Sequence, residues 1–234
     1  MIEANVADLR TQLVTVIRLM AMEGLIDFNG HVSCRLPDTD HVLINSRYSS
    51  RFGLTVDDIV TVDLAGQLLE GKAEPPSETA IHTEIYKARP DVGSVAHLHP
   101  QYATVFTIAG KPLVPVFIIA SLFGREGVPV FDDPRLIWSE EEGAAVAAVL
   151  GDRPAVLLRS HGAVTVGPDI EGTFAVAVAL EDNARKYLWA SALGTPRPLS
   201  VTEMEQYGAP VSTRGTRHKV WDFYVAKGHN AGLL

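Results

Sequence analysis

Apolar residues recur at helical spacing near the start of the chain. Leu9, Leu13, Val16, Ile17 and Met20 fall on one face of a helix predicted over 4–23, and Gly24 supplies its stop. From residue 31 the period changes to two. His31, Ser33 and Arg35 share one face of a strand, and Val32, Cys34 and Leu36 share the other. Pro37 and Asp38 turn the chain into a second short strand at 42–45. Residues 46–53 (SRYSSRFG) read as a polar loop with two arginines, and 59–63 with 67–69 read as a hairpin.

The stretch 75–100, PPSETAIHTEIYKARPDVGSVAHLHP, organises the rest. Ser77 reads as an N-cap and Glu78 sits in the first helical turn, while Ile81, Ile85 and Ala88 make an apolar stripe that runs out at Pro90. A strand follows Gly93. On it His97 and His99 project side by side, with Ala96 and Leu98 turned towards a core. Antiparallel packing of this helix and strand brings Glu78 to the two histidines.

Further helices are predicted at 101–108, at 139–150 with Ser139 and Glu142 as a capping box, and at 169–193, whose first half is apolar enough for a core or a subunit contact. The segment 111–135 holds four prolines and no period, and reads as loop with one or two short strands. An apolar strand at 155–159 runs through Ser160-His161-Gly162 into another at 163–166. A tail from about residue 194 carries short helices near 201–206 and 217–227. Hairpin-length connections argue against a doubly wound parallel fold. The expectation is one α/β domain over 1–234, with helices on the faces of a mostly antiparallel sheet.

Composition narrows the function. With 234 residues, 47% hydrophobic, the chain can bury a sizeable core. A net charge of -8 disfavours nonspecific nucleic-acid binding, and no apolar run is as long as a membrane span. The start of the chain lacks the pattern of a signal peptide, and Cys34 is the only cysteine, so a cytoplasmic protein without internal disulfides is expected. Cys34 itself reads as a packed strand residue.

Two imidazoles converging with a carboxylate suit a divalent metal. His161 is the candidate third ligand, set at a kink where Gly162 permits close approach. Glu78, His97, His99 and His161, together with Gly30-His31-Val32-Ser33, the Pro-Ser-Glu helix start and the following His82 and Tyr86, resemble the class II aldolase/adducin family from the first helix to about residue 190. The resemblance implies a three-layer α/β/α domain with a central, largely antiparallel sheet. It implies one divalent ion per chain on His97, His99 and His161, manganese ahead of zinc, with Glu78 as acid/base. It also implies a homotetramer with active sites between subunits.

Departures from the family's sugar-phosphate members point to a substrate. Those members hold phosphate with an asparagine, a threonine-glycine pair and a double serine. Here the positions carry His31, Arg47 with Tyr48, and Pro76 with Ser77, and Pro76 has no amide hydrogen to give. Arg47 has the planar fork that suits a carboxylate. The chain therefore resembles the branch that decarboxylates hydroxylated ring dicarboxylates, with His31, Arg47, Tyr48 and Ser77 expected to bind a small-molecule carboxylate. In both decarboxylation and aldol cleavage a metal would stabilise the electron pair left beside a carbonyl. The alternatives are a sugar-phosphate aldolase or epimerase, and a non-catalytic adducin-like scaffold. His82 reads as a supporting or packing residue, His41 and His229 as surface, and His218 and Tyr224 as tail residues of surface or packing role.

Overall fold

Strands that are apolar on both faces must be covered on both faces, and this requirement sets the architecture. A computed structural model describes residues 6–208 and 213–234. Its eight strands are β1 (His31–Arg35), β2 (Val42–Asn45), β3 (Ile59–Val62), β4 (Leu68–Glu70), β5 (Ser94–Leu98), β6 (Val130–Phe131), β7 (Ala155–Leu158) and β8 (Gly162–Gly167). They form one sheet in the order β4-β3-β2-β1-β5-β8-β7-β6. Every neighbouring pair is antiparallel except β6 with β7.

Seven helices accompany the sheet among the described residues: α1 (Val6–Met22), α2 (Thr79–Ala88), α3 (Gln101–Ile108), α4 (Glu140–Leu150), α5 (Ile170–Leu193), α6 (Val201–Tyr207) and α7 (Arg214–Asn230). None is long and apolar enough to cross a membrane. Two cores result. On one face Leu13, Ile17 and Met20 of α1 meet Val32, Ala96, Leu98 and the α5 residues Phe174 and Leu180. On the other, Ile81 and Ile85 of α2 and Val146 and Leu150 of α4 meet Val95, Val156 and Val164. Each such fully buried aliphatic side chain contributes roughly 1.5–3 kcal/mol. The expected three-layer α/β/α arrangement is the observed one.

Local signals behaved as their chemistry dictates. Ser139 accepts from the Glu142 amide at 3.2 Å and Glu142 Oε2 accepts from the Ser139 amide at 2.9 Å, the reciprocal cap expected for α4. The apolar first half of α5 is buried within the chain itself, by Phe174, Ala177 and Leu180. The segment 111–135 yields one strand, β6, and a 3-10 turn at Ile118–Phe123. Other boundaries moved. The N-cap of α2 is Glu78, not Ser77, and β5 ends at Leu98, one residue short of His99. Helix α7 is longer at both ends than 217–227. Residues 4–5 of the first predicted helix lie outside the described residues.

Candidate active site

Because β1, β5 and β8 are adjacent and antiparallel, the start of β1, the end of β5 and the start of β8 share one end of the sheet. His31 and His97 are cross-strand partners there, with ring centroids 4.9 Å apart. His99 lies just past β5, where its amide donates to Leu25 O at 2.9 Å. His161 sits on the turn between β7 and β8. The left-handed residue of that turn is Ser160, at φ 57°, rather than a glycine. Gly162 serves close approach instead: a Cβ there would lie 2.1 Å from Leu98 O.

The rings are oriented by their far nitrogens. His97 Nδ1 is 3.2 Å from Ala163 O, and His99 Nδ1 is 3.1 Å from Asp27 Oδ1. Both partners are acceptors, so each Nδ1 donates its hydrogen and each Nε2 is left with a lone pair. The two Nε2 atoms face each other at 3.2 Å. Two lone pairs at that distance repel unless a cation lies between them and the neighbouring groups. One ligand atom from each of His97, His99 and His161 falls within a 4.8 Å span, as does one from each of His31, Glu78 and His97. The donor set fits a divalent ion of the zinc or manganese kind.

Glu78 enters from the start of α2. Its Oε1 accepts from the Ile137 amide at 2.9 Å, and its Oε2 stands 3.6 Å from His97 Nε2 and 3.7 Å from His161 Nε2. Burial raises its pKa, opposed first by the Ile137 hydrogen bond. Burial also holds His97 and His31 well below the ordinary histidine value and brings His161 to about 4, so these rings are neutral near pH 7. Neutral imidazoles are what a metal needs.

Behind His31 runs a buried polar chain. His31 Nδ1 is 2.6 Å from His82 Nε2, His82 Nδ1 is 2.6 Å from Ser33 Oγ, and Ser33 Oγ is 2.8 Å from Tyr86 Oη. His82 is thus a supporting residue one helical turn after Glu78. A cleft of about 440 Å³ opens beside these groups, lined by Phe28, His31, Arg47, Tyr48, Ser77 and Glu78 among others. Arg47 is half-exposed at its rim, 3.8 Å from Glu74 and stacked over Tyr48. A wider cleft of about 520 Å³, lined by Val92, Gly167 and Val220, lies at the opposite end of the sheet and holds none of the converging histidines.

The remaining candidates fall elsewhere. Cys34 is buried and its thiol is pushed up to about 12, which leaves it inert. His41 and His229 are exposed. His218 pairs with Glu171 at 3.2 Å near the start of α5, and Tyr224 packs on Phe174; Glu171 lies just beyond the far end of β8. Two contributors carried no sequence signal: Asp27 reaches His99 across 72 residues of chain, and the Ile137 amide reaches Glu78 from the loop that follows Pro134. Arg51, one of the two arginines of the polar loop 46–53, folds back into the cleft wall.

Comparison with known proteins gives a consistent result. Residues 11–188 match the class II aldolase and adducin N-terminal domain. The 3,4-dihydroxyphthalate decarboxylase of Rhodococcus jostii is 31% identical over 205 residues, covering 82% of this chain and 84% of that protein. The 5-methylthioribulose-1-phosphate/5-deoxyribulose-1-phosphate aldolase of Rhodospirillum rubrum is 29% identical over 208 residues, covering 88% and 92%. The solved structure of L-fuculose 1-phosphate aldolase from Glaciozyma antarctica superposes with a TM-score of 0.84 at 27% identity, covering 96% of this chain and 90% of that one. Decarboxylases and aldolases are both lyases, and the domain match spans most of the chain. This chain therefore belongs to the class II aldolase and adducin family.

Proposed function

We propose that this protein is a metal-dependent lyase that removes carbon dioxide, without oxidation, from a hydroxylated aromatic or pyridine dicarboxylate. The observation that carries this reading is Glu78: a buried carboxyl of raised pKa, fixed by Ile137, facing a three-histidine cluster beside a cleft with two arginines in its wall. His97, His99 and His161 would hold the ion, manganese ahead of zinc. When bound, it supplies Lewis acidity to the oxygens of the substrate's hydroxyl and ortho carboxylate.

The chain's own groups do the rest. Glu78 carries a proton at Oε2 and delivers it to the carboxylate-bearing ring carbon of a substrate bound as its phenolate, so that the ring becomes a keto tautomer. The carbon–carboxylate bond then breaks, its electron pair re-forms the ring double bond, and the carbonyl pair returns to the phenolate oxygen. Carbon dioxide leaves, the ring regains aromaticity, and solvent reprotonates Glu78. His31, Tyr48 and Ser77 face the substrate from the cleft wall, and Arg47 supplies positive charge at the mouth. Phe28 and Tyr48, 83% and 79% exposed beside the cleft, suit burial against another subunit, and we assign a homotetramer with the site at a subunit boundary.

The similarity to 3,4-dihydroxyphthalate decarboxylase supports this reading over its rival. A sugar-phosphate aldolase is the second reading, favoured by the likeness to the Rhodospirillum enzyme and opposed by Pro76, which offers no amide to a phosphate. All ligands and Glu78 are present, which speaks against a non-catalytic scaffold. The test is a panel of hydroxylated ring dicarboxylates, headed by 3,4-dihydroxyphthalate, assayed for carbon dioxide beside sugar phosphates assayed for aldehyde. Aldehyde from a sugar phosphate with inert ring acids would favour the aldolase.

A further inference from the structure

Arg51 is 5% exposed and lines the same cleft as His31 and Glu78. Its Nε donates to Gly30 O at 2.9 Å, and its Nη1 donates to Ser49 O at 2.5 Å and lies 3.0 Å from Ser49 Oγ. Among the described residues Nη2 has no hydrogen-bond partner, and no carboxylate lies within ion-pair distance of the guanidinium. A largely buried cation with no ion-pair partner, one of whose nitrogens faces the cleft, gains most from an anion that the cleft admits. The nearest acidic influence, Asp27, is already committed to His99 and to the Asn29 amide.

The other charges in the cleft do not take over this role. His31 is neutral and its Nδ1 is engaged with His82. Arg47 is half-exposed and has Glu74 as a partner, so solvent and that carboxylate screen it. Arg51 is held at both its Nε and Nη1, which fixes where Nη2 points before any ligand arrives. Such preorganisation is what recognition of one oxygen at one place requires.

We infer that Arg51 is a specificity-determining residue whose Nη2 binds the non-reacting carboxylate of the substrate, on the side of the cleft formed by Gly30 and Ser49. The inference rests on the ring-dicarboxylate reading and refines it, moving the second carboxylate from Arg47 at the mouth to Arg51 within the wall. Arg51 also latches the Gly30 carbonyl next to His31, so a purely structural role is the competing account.

The experiment compares two probes that differ by that one carboxylate. Binding of 3-hydroxyphthalate, of salicylate and of inorganic phosphate to the metal-loaded protein is measured by calorimetry for the wild type, Arg51→Gln and Arg51→Lys. Arg51→Gln should weaken 3-hydroxyphthalate by about 10- to 100-fold and leave salicylate within about 3-fold, because only the former offers an oxygen to Nη2. Arg51→Lys, which keeps the charge, should recover part of the loss and covers the case in which the glutamine variant does not fold. Equal losses on both ring acids would overturn the inference and leave Arg51 a latch on Gly30. Loss of phosphate binding with 3-hydroxyphthalate unchanged would overturn it in favour of a phosphate site. Selective loss of 3-hydroxyphthalate binding, in a protein that releases no carbon dioxide from any ring acid, would uphold Arg51 and sink the decarboxylase reading alone.

Discussion

His31 Nδ1 and His82 Nε2 share one hydrogen across 2.6 Å in a place that water does not reach. The ring that accepts this hydrogen cannot take a second proton without losing the bond, and burial brings His82 down to about 3. In the unfolded chain it titrates near 6.5. Between these values the unfolded state binds more protons, so stability falls as pH drops from about 6.5 towards 3. At pH 5 His82 alone should cost about 2 kcal/mol, and His31 and His97 act in the same direction. Urea unfolding of the metal-free protein at pH 7.5 and pH 5 measures this. His82→Gln should flatten the dependence; an unchanged slope would refute the assignment.

Metal affinity should depend on Asp27 as well as on the ligands. Asp27 Oδ1 takes the Nδ1 hydrogen of His99 and thereby fixes which nitrogen faces the ion. Asp27→Ala should weaken metal binding by about 10- to 100-fold with the fold retained. His97→Ala and His99→Ala should abolish it. Elemental analysis after dialysis against a graded chelator separates the three variants. An Asp27→Ala protein of wild-type affinity would remove Asp27 from the account.

Glu78→Gln separates proton transfer from metal binding. The amide oxygen can still accept from the Ile137 amide, so the side chain should keep its place. It has no acidic proton to deliver, and turnover should fall by about 10²- to 10⁴-fold. Metal content should stay well above that of the histidine variants. A Glu78→Gln protein with near wild-type turnover would show that the proton comes from elsewhere.

Much of this site was legible in the sequence because its strongest signals are local. Alternation placed His97 near His99, and the turn chemistry around Pro90 and Gly93 folded α2 back along β5, which carried Glu78 to them. The capping box of α4 was readable for the same reason: Ser139 and Glu142 are three residues apart. What the sequence hid depends on contacts between distant segments. Asp27 meets His99, Ile137 meets Glu78, and Arg51 meets Gly30, all through loops that carry no periodic pattern. The N-cap expected at Ser77 falls one residue later. Glu78 takes the cap position itself, with its carboxylate committed to Ile137 and the histidines, and Ser77 is left exposed in the cleft wall. The positive φ at Ser160 was likewise hidden, because a serine gives no warning of the left-handed turn that the chain requires before Gly162.

The central claim is that Glu78 protonates the ring carbon from which carbon dioxide then leaves. Turnover of a hydroxylated ring dicarboxylate such as 3,4-dihydroxyphthalate in heavy water, followed by mass spectrometry and proton NMR of the product, tests it most directly. The account predicts one equivalent of carbon dioxide and one deuterium per product molecule, at the ring position that bore the carboxylate. Ring dicarboxylates recovered unchanged, while a sugar phosphate is cleaved to an aldehyde by the same metal-loaded protein, would contradict it.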